Sequence, residues 1–217
     1  MKEKTVIVGN GGHAKVVIDI LREMGGYEII GITTDKECSS DSFCGYPILG
    51  NDDILSGLIK NGIKNAAIGI GGFRDNSLRK KIYKKIEIAG FRIVSAVHPS
   101  AVISRTVSMG QGNIIFPGVI INTDVRIGNN VIIATGSTID HETVIKDNVL
   151  ISAGVNVGAS TVIEEGALLA IGSKVVSGIN IGKDSLVAAG AVIVNDVKQN
   201  SRVFGIPARH MGDRGKG

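Results

Sequence analysis

From Ala101 to Asp196 the chain reads AVISRT, VSMGQG, NIIFPG, VIINTD, VRIGNN, VIIATG, STIDHE, TVIKDN, VLISAG, VNVGAS, TVIEEG, ALLAIG, SKVVSG, INIGKD, SLVAAG, AVIVND, sixteen six-residue units without an insertion. The third position is aliphatic in all sixteen, from Ile103 and Met109 through Val187 and Ile193. The first position is Ser, Thr, Ala or Val in fourteen of them and fails only at Asn113 and Ile179. A period of six is neither the helical period of about 3.6 nor the strand period of about 2. It predicts a solenoid in which each flat face is one short strand, with the third-position aliphatic and the small first-position residue turned to the axis. The turns between faces then fall on Gly, Asn and Asp, the residues that accept unusual backbone angles. Three faces per turn predict about five coils in a column of about 25 Å, at the strand spacing of about 4.8 Å.

The rest of the composition agrees with that core. Of 217 residues 30 are Gly, Ile and Val together number 56, and there are only eight aromatics and no Trp. A chain this apolar folds, and it lacks the aromatic platforms on which single-stranded nucleic acid stacks. The net charge of +4 is spread as +3 over 1–100, −3 over 101–196 and +4 over 197–217. No stripe of cations is dense enough for duplex DNA, so no nucleic-acid partner is expected. The basic tail serves either solubility or a phosphorylated ligand. No apolar run is long enough for a membrane span or a signal peptide, which predicts a cytoplasmic protein with no membrane partner. Cys38 and Cys44 fit neither a redox pair nor a zinc knuckle and read as reduced loop thiols.

The first 97 residues carry a different pattern. Lys4–Gly9 reads as a buried strand, followed by Asn10-Gly11-Gly12-His13-Ala14 and a helix marked by Val16, Val17, Ile20, Leu21 and Met24. Gly9-x-Gly11-x-x-Ala14 is the phosphate-binding glycine turn in its proper strand-to-helix setting, with backbone N–H groups and the helix dipole facing an anion. Ile29–Thr33 reads as a second strand, followed by Thr34 and by Asp35 at the spacing of a ribose contact. Asn65–Ile70 predicts a third strand running into Gly71, a helix near 76–89 carries Arg79, Lys80, Lys81, Lys84 and Lys85, read as a solvated basic face with a phosphate clamp as the alternative, and Arg92–Val97 predicts a fourth strand. The domain is one mononucleotide half, too small for NAD, which favours a nucleotide or nucleotide-sugar.

The two halves together, a Rossmann-like unit opening on VIVGNGGHAKVV fused to a hexapeptide coil that ends in Gly205-Ile206-Pro207-Ala208-Arg209, resemble the bacterial sugar O- and N-acetyltransferases with hexapeptide repeats. The likeness covers essentially the whole chain. It implies a small parallel-sheet α/β domain over 1–97 and a left-handed parallel β-helix with its tail over 98–217, assembled as a homotrimer. It implies acetyl-CoA as co-substrate, no metal, and a nucleotide-linked amino sugar of the UDP-4-amino-4,6-dideoxy type as acceptor, with O-acetylation of a sialic acid as the alternative. Gly11, Gly12, His13, Thr34, Asp35 and Gly71 are its expected substrate contacts. Thr34-Asp35 stands where the family often has two acids.

Acetyl transfer needs a base near working pH and donors for the oxyanion. His141 is the sole His of the sixteen units, lies near a corner, and is flanked by Asp140 and Glu142. It matches the family's general base, with Glu142 as assistant and Asp140 as rival for that role. His98 at the junction reads as structural and His210 in the tail as solvated. The resemblance puts acetyl-CoA along the coil between subunits, at Ile171-Gly172 and Ala189-Gly190. The family's second His, nine residues after the base, is Leu150 here. A zinc lyase on the same coil would need three His ligands, which the coil lacks. A non-catalytic scaffold would leave the Asp-His-Glu cluster unexplained.

Overall fold

The computed structural model describes residues 1–35, 40–72 and 75–214, which form two compact units, Met1–Pro99 and Ser100–Gly217. Cys38 lies outside the described residues, and Cys44 is a free, exposed thiol. Among the described residues no helix is long and apolar enough to cross a membrane.

The first unit is a sheet built around β1 (Glu3–Val8), which continues through Gly9 into helix α1 (Gly12–Met24). β2 (Tyr27–Thr33) pairs parallel to β1 on one side, and β5 (Asn65–Ile68) does so on the other. β3 (Ser42–Phe43) and β4 (Tyr46–Gly50) form an antiparallel pair whose second strand extends β2, and β6 (Arg92–Ile93) extends β5. Val6 and Val8 share a core with Leu55 of α2 (Leu55–Lys60) and with Ile82 and Ile86 of α3 (Ser77–Ile88). Strand geometry sends the intervening Ile7 to the opposite face.

The expected fourth strand, Arg92–Val97, is two pieces. The N–H groups of Arg92 and Val94 reach the carbonyls of Lys64 and Ala66, and pairing stops there. Ala96–Val97 (β7) is a separate strand packed near α1, with the Val97 N–H on the Met24 sulfur at 3.4 Å. The basic helix also departs from expectation. Lys81 and Lys84 are exposed, but Arg79 is only 1% exposed.

The second unit is a left-handed parallel β-helix. Each hexapeptide contributes one two-residue strand from its second and third positions, from Val102–Ile103 to Val192–Ile193. Up to Lys174–Val175 each strand pairs with the one eighteen residues later, as Thr138 does with Asn156 and Ile151 with Leu169, so three faces close a coil. First- and third-position side chains such as Val131, Ile133, Ser137 and Ile139 are buried. The sixth position turns each corner, and fourteen of the sixteen have positive φ, eight of them Gly. After the coil, Ser201–Phe204 adds parallel to the strand Leu186–Val187, and Arg209–Asp213 folds back antiparallel on it. The turn between them is Gly205-Ile206-Pro207-Ala208.

Candidate active site

In the first unit the six expected substrate contacts line one cleft of about 240 Å³. Its centre is the turn after β1. Gly9 has φ 105°, and a Cβ on Gly69 would stand 2.7 Å from the Gly9 carbonyl oxygen and 2.8 Å from the Ala14 Cβ. β1, β5 and the start of α1 therefore meet only because both positions lack a side chain. Gly11 is the N-cap of α1, with no side chain capping it and no acid in the first turn, so neither a cap nor a carboxylate competes with an anion at the helix start.

Around that turn the two flanks differ in charge. On the β2 side, the Thr34 hydroxyl donates to Asn10 Oδ1 at 2.9 Å, tying strand to turn. Asp35 Oδ1 accepts the Asp52 N–H at 2.9 Å, and Asp52 Oδ1 accepts the Thr33 hydroxyl at 2.7 Å. Asp52 thus brings a second acid to the cleft from the turn after β4. Burial raises its carboxyl, opposed by the Thr33 hydrogen bond, and neighbouring Asp35 raises it further. On the β5 side lie Ile70, Gly71 and His13. Burial, and then the charge of Arg79, lower the His13 imidazole to about 3, so it is neutral at working pH and offers hydrogen bonding, not charge.

Asp52 was not singled out by the sequence, and Asn10 and Arg79 entered only as members of the glycine turn and the basic helix. For Arg79 a signal exists, since 79, 82 and 86 fall on one helical face shared with Ile82 and Ile86. Asp52 carries none, because Asn51-Asp52-Asp53 reads as an ordinary helix cap.

In the second unit His141 sits on a corner between two faces, its side chain about half exposed. Its Nδ1 lies 3.3 Å from Glu142 Oε2. Asp140 serves the main chain instead: its Oδ1 accepts the His141 N–H at 2.8 Å and the Asn122 amide at 2.9 Å. Those two bonds, the Asn122 one larger, hold the Asp140 carboxyl below the usual carboxylate range. Of the two neighbouring acids, the ring's partner is Glu142. Glu142 has φ 59° and accepts the Ser160 hydroxyl at 3.2 Å on the same oxygen, and the Ser160 N–H donates to the His141 carbonyl at 2.9 Å. A carboxylate only accepts, so the pair needs its proton on Nδ1, which leaves the Nε2 lone pair as a base.

The expected cofactor positions fall on a different corner. Ile171-Gly172 and Ala189-Gly190 stack in successive coils, with the Gly190 N–H on the Ile171 carbonyl at 2.9 Å, and Ile171 is 60% exposed. They form one continuous edge with Thr135-Gly136 and Ala153-Gly154. Leu150 does not join it. It pairs with Ile132 and Leu168 along a face and is 5% exposed, so it offers a ligand almost no surface in this chain. Among the described residues no cluster of His, Cys, Asp and Glu could hold a metal ion.

A glycine-turn cleft joined in one chain to a hexapeptide coil that exposes a His–carboxylate pair defines a hexapeptide-repeat transferase. Residues 4–86 match the PglD N-terminal domain, and residues 106–141 match the bacterial transferase hexapeptide of six repeats. The perosamine N-acetyltransferase of Caulobacter crescentus, solved as a histidine-to-asparagine variant in complex with CoA and GDP-perosamine, is 35% identical over 97% of each chain, with a TM-score of 0.90. The acetyltransferase domain of PglB from Neisseria gonorrhoeae, in complex with acetyl coenzyme A, is 26% identical over 97% of this chain and 100% of that one, with a TM-score of 0.88. The UDP-N-acetylbacillosamine N-acetyltransferase of Bacillus subtilis is 29% identical over 117 residues, 52% of this chain and 51% of that protein, so the match spans about half the length of that relative. This chain belongs to the bacterial hexapeptide-repeat sugar acetyltransferases.

Proposed function

We propose that the chain transfers acetyl from acetyl-CoA to the amino group of a nucleotide-linked amino-deoxy sugar, a step of surface-glycan synthesis. The observation that carries the reading is the His141–Glu142 pair on the coil corner. Glu142 holds the Nδ1 proton, and His141 Nε2 takes the proton of the sugar amine as its nitrogen attacks the thioester carbonyl. The tetrahedral intermediate collapses by breaking the C–S bond, and the proton passes to the departing CoA thiolate. The N-acetyl sugar and free CoA are the products. The glycine-turn cleft takes the nucleotide end, its acids toward the ribose. The relatives support this, being solved with CoA and with a GDP-linked amino sugar.

His141 and the Ile171–Gly190 edge stand on different corners of one coil, separated by the face that carries Thr138–Ile139 and Asn156–Val157. A homotrimer, in which the edge of one copy meets His141 of the next, brings cofactor and base together.

Free-thiol release from acetyl-CoA with a panel of UDP-, dTDP- and GDP-linked 4-amino sugars tests the activity. Release with one amino sugar is expected. Release with none of them, or only with a sialic acid, overturns the N-transfer reading.

Glu142 and Asp140 separate by substitution. Glu142→Gln is expected to lower kcat about tenfold with an unchanged sugar KM, and Asp140→Asn by no more than about threefold. Steady-state kinetics on the two variants check it, and an inverted order would transfer the assisting role to Asp140.

A further inference from the structure

Among the described residues of the first unit, Arg79 is the buried cation. A charge at 1% exposure is costly unless the surroundings answer it. Its Nη1 donates to the Ile70 carbonyl at 2.6 Å and to the Ile68 carbonyl at 3.4 Å, the last carbonyls before the cleft. Ile70 leads into Gly71, where a Cβ would stand 3.1 Å from the Cβ and Cγ of His13. Arg79, Ile70, Gly71 and His13 therefore form an unbroken chain of contacts along one flank of the cleft. Leu78 and Ile82, beside Arg79 on α3, line the cleft itself.

We propose that Arg79 is a positioning residue for nucleotide-sugar binding: its guanidinium holds the Ile68–Gly71 wall and supplies the fixed positive charge that draws the diphosphate to the Gly11–His13 turn. The inference rests on the reading of the cleft given above. The strand order β4-β2-β1-β5 puts the glycine turn between Asp35 and Asp52 on one side and Arg79 on the other. That asymmetry sets the direction of the ligand, with the ribose and base toward the acids and the diphosphate toward Arg79. It also divides the labour with His13. Burial and the Arg79 charge keep the imidazole neutral, so charge comes from Arg79 and a hydrogen bond from His13.

The test is calorimetric binding of UDP and GDP to the full chain, as wild type, Arg79→Met and Arg79→Lys, at pH 7.5 and 5.5. The charged group that bears on His13 is Arg79 on α3; Asp35 and Asp52 line the cleft across the turn, and Lys85 acts on Asp52. At pH 7.5 Arg79→Met is expected to bind about tenfold more weakly and Arg79→Lys within about threefold of wild type. In turnover the loss falls on the KM for the nucleotide sugar. At pH 5.5 the same deficit is expected, because burial, the larger cause, keeps His13 neutral with or without its cationic neighbour. Taking the ratio to wild type cancels titration of the nucleotide phosphate. A methionine variant with wild-type affinity, or a lysine variant that binds as weakly as the methionine one, overturns the proposal. If Arg79→Met does not fold, Arg79→Gln and a side-chain NMR titration of His13 replace it. Then an unmoved His13 midpoint overturns the charge coupling. Wild type that binds no nucleotide overturns the cleft reading itself, and this inference with it.

Discussion

His141→Asn is expected to lower kcat for acetyl transfer by about 10²–10⁴-fold, the range that one positioned general base contributes. The substitution keeps size and polarity but removes the lone pair proposed to accept the amine proton. His141 is half exposed on a corner, and its ring touches only Glu142 among the contacts described. The corner itself is held by main-chain bonds, Glu142 N–H to the Thr123 carbonyl and Ser160 N–H to the His141 carbonyl, which asparagine leaves in place. Thermal unfolding should therefore move by no more than about 0.5 kcal/mol, and CoA binding by calorimetry should be unchanged. A variant that retains more than a tenth of wild-type kcat would place the base elsewhere.

The second large effect concerns the axis of the coil. Ile151 is fully buried and lies in register between Ile133 and Leu169 of the adjacent coils. Ile151→Ala removes three carbons from a column whose neighbours are fixed by parallel ladders on both sides, so little can collapse into the gap. The expected loss is about 2–5 kcal/mol, from transfer plus cavity terms. Ile120→Ala is the paired control, because that side chain points outward and is 42% exposed. It should cost no more than about 1 kcal/mol as a single chain. Denaturant unfolding at one fixed protein concentration checks both, since assembly contributes to apparent stability. Equal losses at 120 and 151 would contradict the assignment of inner and outer positions.

The coil was legible because one rule repeats. An inward aliphatic every six residues and a corner that excludes most side chains leave their marks at every unit, so the reading does not depend on any single residue. The α/β unit was legible where a buried strand runs into a glycine turn. It was not legible at its edges. β3 and β4 are short, carry Pro47 and Gly45, and owe their pairing to β2. The strand expected over Arg92–Val97 leaves β5 after Val94, whose N–H is the last to reach it, at the Ala66 carbonyl. In the cleft, Gly11, Gly12 and Asp35 followed from motif spacing, whereas Asp52 and Arg79 arrive from distant segments and are polar groups whose meaning comes only from burial. Composition treats a lysine-rich helix as one solvated face. It took the packing to separate Arg79 from Lys81 and Lys84.

The left-handed corners bear on how this enzyme family can change. Most are Gly, Asn or Asp, residues at ease with positive φ. Glu142 and Ser160 are the two that are neither, with φ 59° and 52°, and they are stacked on one another beside His141. Holding such residues in that conformation costs on the order of 1 kcal/mol each. The fold is therefore less stable than it could be at just the place where the chemistry is proposed to occur. Selection for heat resistance alone would drift both positions toward glycine and slow the catalyst while improving the scaffold. If His141 acts as proposed, two side chains out of place in an otherwise regular solenoid are a mark of use, one that a coil serving only as a spacer would have no reason to keep.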